Sequence, residues 1–175
     1  VLAGPNAEAI SRARRDFARA AAGPRDWLAD RARARGSWST ALLVEIGRGG
    51  RSLRASAIGD SCLFVLDGLE LRAAFPLDSP AAFSNTPELV EDRARPGSGG
   101  TPRFRSVVVG LAGLRRPALI LATDSLAAHL LASEDRRDLL RFLAQATLAD
   151  FEAWARRGMA EGRLGRDDLT LLWIR

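Results

Sequence analysis

The chain has 175 residues, about one domain at roughly 150 residues per domain, and its 47% hydrophobic content suffices for a buried core, which excludes a disordered tail. Its 26 basic residues are all arginine against 21 acidic ones, a net charge of +5; with no lysine anywhere, a P-loop lysine, a kinase lysine and Schiff-base chemistry are excluded. One cysteine, Cys62, and one histidine, His129, exclude disulfide frameworks, cysteine-rich zinc sites and histidine-rich metal centres, leaving carboxylates, hydroxyls and arginines to carry chemistry.

Residues 6–35 are rich in alanine and arginine, with apolar positions at helical spacing, and Gly23-Pro24 divides them into two predicted helices. At Trp38 the period changes. Trp38, Thr40, Leu42, Val44 and Ile46 alternate with Ser39, Ala41, Leu43 and Glu45, which predicts a half-buried strand. A glycine turn at 47–50 leads to strands at 53–58 and 62–66. Asp67-Gly68 reads as a tight type I′ hairpin turn before a strand at 69–75. Residues 76–102 lack a sustained period and read as a long loop with a flexible part at 92–103. Strands follow at 106–111 and 118–123, helices at 125–132, 135–146 and 148–158, and a last strand at 169–174. Grouped strands between helices predict an α+β domain with mainly antiparallel pairing. No internal repeat or linker divides it, so the expectation is a single domain over 1–175: a helical pair at 1–35, then sheets and C-terminal helices over 36–175.

The pI near 11.1 overstates basicity, because arginine keeps its proton above about pH 12, so no nucleic-acid partner is expected. The pairs Arg115-Arg116, Arg136-Arg137 and Arg156-Arg157 read as solvated faces or loops, and Trp27, Trp38, Trp154 and Trp173 as core or interface anchors. No apolar run reaches about 18 residues and no charged-then-apolar leader is present, which predicts a soluble, cytoplasmic protein with no membrane partner. The oligomeric state stays open.

Three acidic positions fall where strands end: Asp60 in Gly59-Asp60-Ser61, Asp124 after 118–123, and Asp167-Asp168 before the last strand. Carboxylates without histidine or thiolate partners suit hard divalent ions such as magnesium or manganese. Each also has an ordinary structural reading: Asp124 as a helix N-cap, Asp167-Asp168 as a polar turn, and Asp60 as a tie for loop amides. Gly59-Asp60-Ser61 also admits an esterase nucleophile. That reading is weak, because 62–66 is a strand and His129 lacks an Asp-x-x-His context.

Taken in order, Gly59-Asp60-Ser61, Thr123-Asp124-Ser125-Leu126 and Asp167-Asp168-Leu169-Thr170 resemble the Gly-Asp-Ser, Thr-Asp-Gly and Asp-Asn-x-Thr motifs of the metal-dependent type 2C (PPM) protein serine/threonine phosphatases, in their bacterial form. Ser39-Thr40 resembles that family's Gly-x-Thr strand start, and Leu77-Asp78-Ser79 its Thr-x-Asp-His segment. The resemblance runs from about Trp38 to the C-terminus, with the two helices before it in register. It implies a four-layer αββα sandwich that hydrolyses phosphoserine or phosphothreonine in a protein substrate through a metal-activated water, with two or three Mn2+ or Mg2+ ions between the sheets. Carried over by position, Asp124 and Asp167 are metal ligands and Asp78 the third-metal ligand. Asp168 stands where the family has asparagine, as a ligand or a group behind one, while Gly59, Asp60, Ser61 and Thr123 support the loops.

Two departures bear on activity. Ser125 replaces the usual glycine. The family's Asp-Gly strand, whose aspartate bridges both metals, has no clear counterpart: Val1-Leu2-Ala3-Gly4 aligns with it only by placing Ala3 at the bridging position. The expectation is therefore an N-terminally incomplete domain, with two further readings: a catalytically incomplete module that binds a phosphoprotein or acts as a scaffold, or a fragment of a longer active chain.

Overall fold

The computed structural model describes residues 38–91 and 104–175. The two helices expected within 6–35, Trp27, the Val1-Leu2-Ala3-Gly4 alignment and the loop portion 92–103 lie outside the described residues. The strands in chain order are β1 (Trp38–Ser39), β2 (Ala41–Ile46), β3 (Ser52–Ile58), β4 (Cys62–Asp67), β5 (Glu70–Phe75), β6 (Val90–Glu91), β7 (Arg105–Gly110), β8 (Pro117–Ala122) and β9 (Leu171–Ile174). Three helices, α1 (Asp124–Ala132), α2 (Arg136–Gln145) and α3 (Leu148–Ala160), separate β8 from β9, and a 3-10 helix spans Pro80–Ala82.

The strands pair antiparallel throughout, as expected, in the orders β2-β3-β7 and β5-β4-β8-β9, with β1 and β6 forming a short separate ribbon. Strand β4 explains how the two larger sheets relate. Its five apolar residues, Cys62 to Leu66, are all buried, as happens when both faces of a strand are covered. Successive side chains point to opposite faces. Cys62, Phe64 and Leu66 join Ala118, Ile120 and Ala122 of β8 in a cluster with Leu126, Leu130, Leu140 and Leu143 of α1 and α2. Leu63, Val65 and Leu119 pack instead against Leu53 and Ala55 of β3. The four-stranded sheet thus lies between a helical layer and the three-stranded sheet.

Phe142 and Phe151 ring Trp154 at 5.7 Å each, extending the helical cluster outward. Helix α3 begins with a capping box in which Thr147 and Asp150 each bond the other's backbone N–H, and it ends where Leu164 lies against Gly158. Among the described residues, no helix is long and apolar enough to cross a membrane.

Several local expectations change. The strand predicted from Trp38 to Ile46 breaks at Thr40, because β1 pairs with β6 whereas β2 pairs with β3. Loop 76–102 contains the 3-10 helix and β6, so it is more ordered than its composition suggests. The β4–β5 turn consists of Gly68 and Leu69 between the paired Asp67 and Glu70. Only Gly68 has positive φ (66°), the pattern of a II′ turn rather than the expected I′. Strand β9 starts at Leu171, later than expected, because the N–H of Thr170 donates to the Thr123 hydroxyl instead of to a neighbouring strand.

Phe64 is fully buried between β8 and the helices, so Phe64→Ala is expected to lower unfolding free energy by about 3–5 kcal/mol. Val108, 66% exposed on β7, gives the contrast: Val108→Ala is expected to change it by less than about 0.5 kcal/mol. Urea denaturation followed by tryptophan fluorescence measures both.

A candidate site at one end of the four-stranded sheet

The register of the four-stranded sheet dictates which loops meet. Cys62, at the start of β4, pairs with Ala122 at the end of β8, and Ala122 pairs with Leu171 at the start of β9. On the other side, Leu63 pairs with Phe75 at the end of β5. The residues just before β4 and β9 and just after β5 and β8 therefore emerge at one end of the sheet. They carry Asp60, Asp167-Asp168, Asp78 and Asp124, so all the acidic positions singled out from the sequence sit on neighbouring strand ends.

Asp60 senses two of the other carboxylates. Asp60 is 7% exposed. Burial first and the Asp124 charge second push its carboxyl above the ordinary value; a bond from its own backbone N–H offsets part of the rise, and Asp167 adds to it. The carboxylates of Asp78, Asp167 and Asp168 are exposed and that of Asp124 half-buried. Among the described residues, no three acidic, histidine or cysteine side chains group closely enough to hold a metal ion by themselves. The donor chemistry suits a hard divalent cation, whereas the number of close ligands falls short.

Hydrogen bonds around the site hold the strand ends in place. Thr123 caps α1; its hydroxyl donates to the Asp168 carbonyl at 3.0 Å and accepts from the Thr170 N–H at 3.0 Å, tying the end of β8 to the segment entering β9. Asp124 is the first residue of α1 and not its cap, which corrects the N-cap reading, and its carboxylate has no hydrogen-bond partner among the described residues. The Asp167 carboxylate accepts the Asp168 N–H at 2.7 Å, which is turn geometry of the kind the sequence also allowed. Ser125, where the family pattern has glycine, stands against Gly165, whose added Cβ would lie 3.1 Å from the serine hydroxyl. The position tolerates serine because a glycine faces it.

Gly59 cannot be replaced without strain. Its φ is 90°, and a Cβ would lie 2.4 Å from a Thr40 methyl carbon and 3.0 Å from the Glu88 carbonyl oxygen. This close approach seats Thr40 on the loop, where its hydroxyl bonds the Ser61 hydroxyl at 2.9 Å. Ser61 leads directly into β4 and not into a helix, and His129 packs on Trp154 with ring centroids 5.8 Å apart. Burial, then the Arg163 charge, hold His129 below its ordinary value, and the esterase arrangement is absent.

Sequence reasoning missed Glu88 and Arg105. Both line a cavity of about 190 Å³ beside Asp60, together with Gly59, Leu77 and Ser84. The one available signal for Arg105 was a charge at the head of the apolar run Val107-Val108-Val109. Cys62 was read only as an exclusion. It lies beneath the site with its thiol 3.3 Å from the Asp60 carbonyl, and burial pushes it up to about 12.

No protein-family model and no curated protein sequence matches the chain. Its fold does match a solved structure, that of the photosystem II phosphatase PBCP, a PPM-type phosphatase, with a TM-score of 0.50 and 10% sequence identity. The match covers 78% of this chain and 63% of that one, so this chain spans less than two thirds of that protein. At this identity the likeness is one of fold: a distant PPM-like arrangement of helices and antiparallel sheets.

Asp60 is harder to ionise folded than unfolded, so its contribution to stability is complete below the unfolded value, about pH 4, and is lost as pH rises through the raised folded value. Asp60→Asn is therefore expected to raise the melting temperature at about pH 7 in EDTA and to leave it nearly unchanged at about pH 3. Differential scanning calorimetry at the two pH values measures this. Cys62 is expected to resist a disulfide reagent at about pH 8 in native protein and to react within minutes in urea, followed by release of the coloured thiolate.

Proposed function

We propose that this chain is the phosphatase-like core of a metal-dependent protein serine/threonine phosphatase of the PPM type, acting on phosphoserine or phosphothreonine in a protein substrate. The observation that supports it most is the meeting of Asp60, Asp78, Asp124 and Asp167-Asp168 on adjacent strand ends, in the chain order of the PPM motifs and on a PPM-like fold. Asp124 and Asp167 are the residues that would hold Mn2+ or Mg2+, with Asp78 and Asp168 as further ligands. Such ions, when bound, supply a water nucleophile at neutral pH and neutralise charge on the phosphate.

The chain's own residues contribute placement and charge. Thr123 fixes the distance between the segments carrying Asp124 and Asp167 through its two hydrogen bonds across the strand ends. Buried Asp60 adds negative potential from behind, and Gly59 admits Thr40 to the loop. The exposure of Asp78, Asp167 and Asp168 leaves room for a phosphate presented on a protein surface. In the fuller form of this reading the fold is a four-layer αββα sandwich, in a cytoplasmic bacterial signalling protein.

One observation favours a second reading. Because no three ligands group tightly among the described residues, the chain would instead be a catalytically incomplete module that recognises a phosphorylated partner. Calorimetric titration with Mn2+ and hydrolysis of a phosphothreonine peptide separate the two. For the phosphatase, Mn2+ binds, hydrolysis needs it and stops in EDTA, and Asp124→Asn and Asp167→Asn each lower the rate more than about 100-fold, beyond the loss typical of outer-shell partners of a metal. Absence of both Mn2+ binding and hydrolysis, with the peptide still bound, establishes the module.

A further inference from the structure

The other end of the four-stranded sheet carries a second cavity with the opposite charge. Asp67 pairs with Pro117 and Leu119 with Ile174, so the β4–β5 turn, the entry to β8 and the exit of β9 all lie away from the carboxylates. Together with α2 they enclose a cavity of about 460 Å³, within the range of small-molecule sites. Four guanidinium-bearing residues line it: Arg116 before β8, Arg137 and Arg141 on α2, and Arg175 after β9. Arg116 and Arg137 are exposed, as expected of solvated faces or loops, yet they come from different pairs and line one cavity.

The charge is largely uncompensated. Arg141 is paired with Asp138 on its own helix, an exposed contact of the kind that water and salt weaken. Asp67 accepts the backbone N–H of Arg116 at 2.8 Å and lies 3.6 Å from the Arg72 guanidinium, so its charge is engaged outside the cavity. The guanidinium groups of Arg116 and Arg137 have no carboxylate partner among the described residues. Two of the four are also positioned. Arg175 donates to the Ala144 carbonyl at 2.7 Å and lies 5.6 Å from the centre of the Trp173 ring. The Arg116 side chain runs over Gly68, where a Cβ would come within 3.2 Å of a guanidinium nitrogen.

Like charges that line one cavity repel one another, and an anion reverses the sign of that interaction. Guanidinium forks match phosphate oxygens two at a time. One wall of the lining is apolar, with Leu69, Pro117, Ala118 and Trp173, and Gln145 adds a polar amide. We propose that this cavity binds a phosphorylated small molecule of nucleoside-phosphate size, with Arg116 and Arg137 holding the phosphates and the apolar wall receiving the ring. This site is separate from the carboxylate end and does not depend on its chemistry.

Isothermal titration calorimetry of the full chain in EDTA, with ADP, pyrophosphate and adenosine as probes, tests the proposal independently of any metal. ADP is expected to bind most tightly, pyrophosphate more weakly and adenosine weakest, with ADP affinity falling as salt is added. The double variant Arg116→Gln/Arg137→Gln is expected to weaken ADP at least tenfold, and the double variant Arg156→Gln/Arg157→Gln to leave it within twofold. All four positions are exposed, and an unchanged circular dichroism melt confirms that the variants fold. The proposal is overturned by absence of ADP binding at about 1 mM, by adenosine binding as well as ADP, or by equal losses in the two double variants.

Discussion

Burial of β4 and β8 on both faces is the constraint from which the rest of this structure follows. A strand covered on one side tolerates a slip of register only by exposing its apolar face; a strand covered on both sides tolerates none without tearing two cores at once. Phe64 and Ile120 face the helices while Leu63, Val65 and Leu119 face the second sheet. Their packing locks Cys62 opposite Ala122, and that register sets which loops are neighbours. The candidate site is thus a consequence of core packing several residues away from any carboxylate.

The sheet that results is electrically polar. Carboxylates gather on the strand ends near Cys62 and Ala122, and guanidinium groups gather around the opposite ends, near Gly68 and Trp173. Among the described residues none of Asp60, Asp78, Asp124, Asp167 and Asp168 is in an ion pair, and of the four arginines only Arg141 is, with Asp138. Asp60 is harder to ionise than an ordinary carboxylate, first because it is buried and then because Asp124 and Asp167 lie near it. At the far end the four arginines are exposed, so water screens their mutual repulsion. A net charge of +5 conveys none of this, since the two ends contribute opposite signs to one sum.

Most strands were legible because alternation and unbroken apolar runs are local signals. The II′ turn at Gly68 was not, since the choice between turn types depends on how the twist of β4 meets β5 and not on the pair of residues alone. Thr40 looked like one more position in a continuous strand. The break there comes from pairing, since β1 pairs with β6 and β2 with β3, partners that lie further along the chain. The acidic residues were legible as strand-end positions, and the PPM resemblance ordered them. The places of Glu88 and Arg105 beside Asp60 were hidden, because a loop brings Glu88 there and the pairing of Arg105 with Ala57 brings the start of β7.

From the sequence alone came the α+β class, the mainly antiparallel pairing, the exclusion of lysine, thiol-framework and histidine-rich chemistries, and the few aspartates worth attention. These are properties of composition and of short-range period, which act through a handful of neighbouring residues. Only the tertiary structure decided that four strand ends meet, that Asp60 is buried and coupled to Asp124 and Asp167, that the ligands among the described residues stop short of a closed metal cluster, and that Arg116 and Arg137 face a common cavity. Each is a relation between segments distant in sequence. Such relations are set by the register and double-sided packing of β4 and β8, which no local pattern encodes.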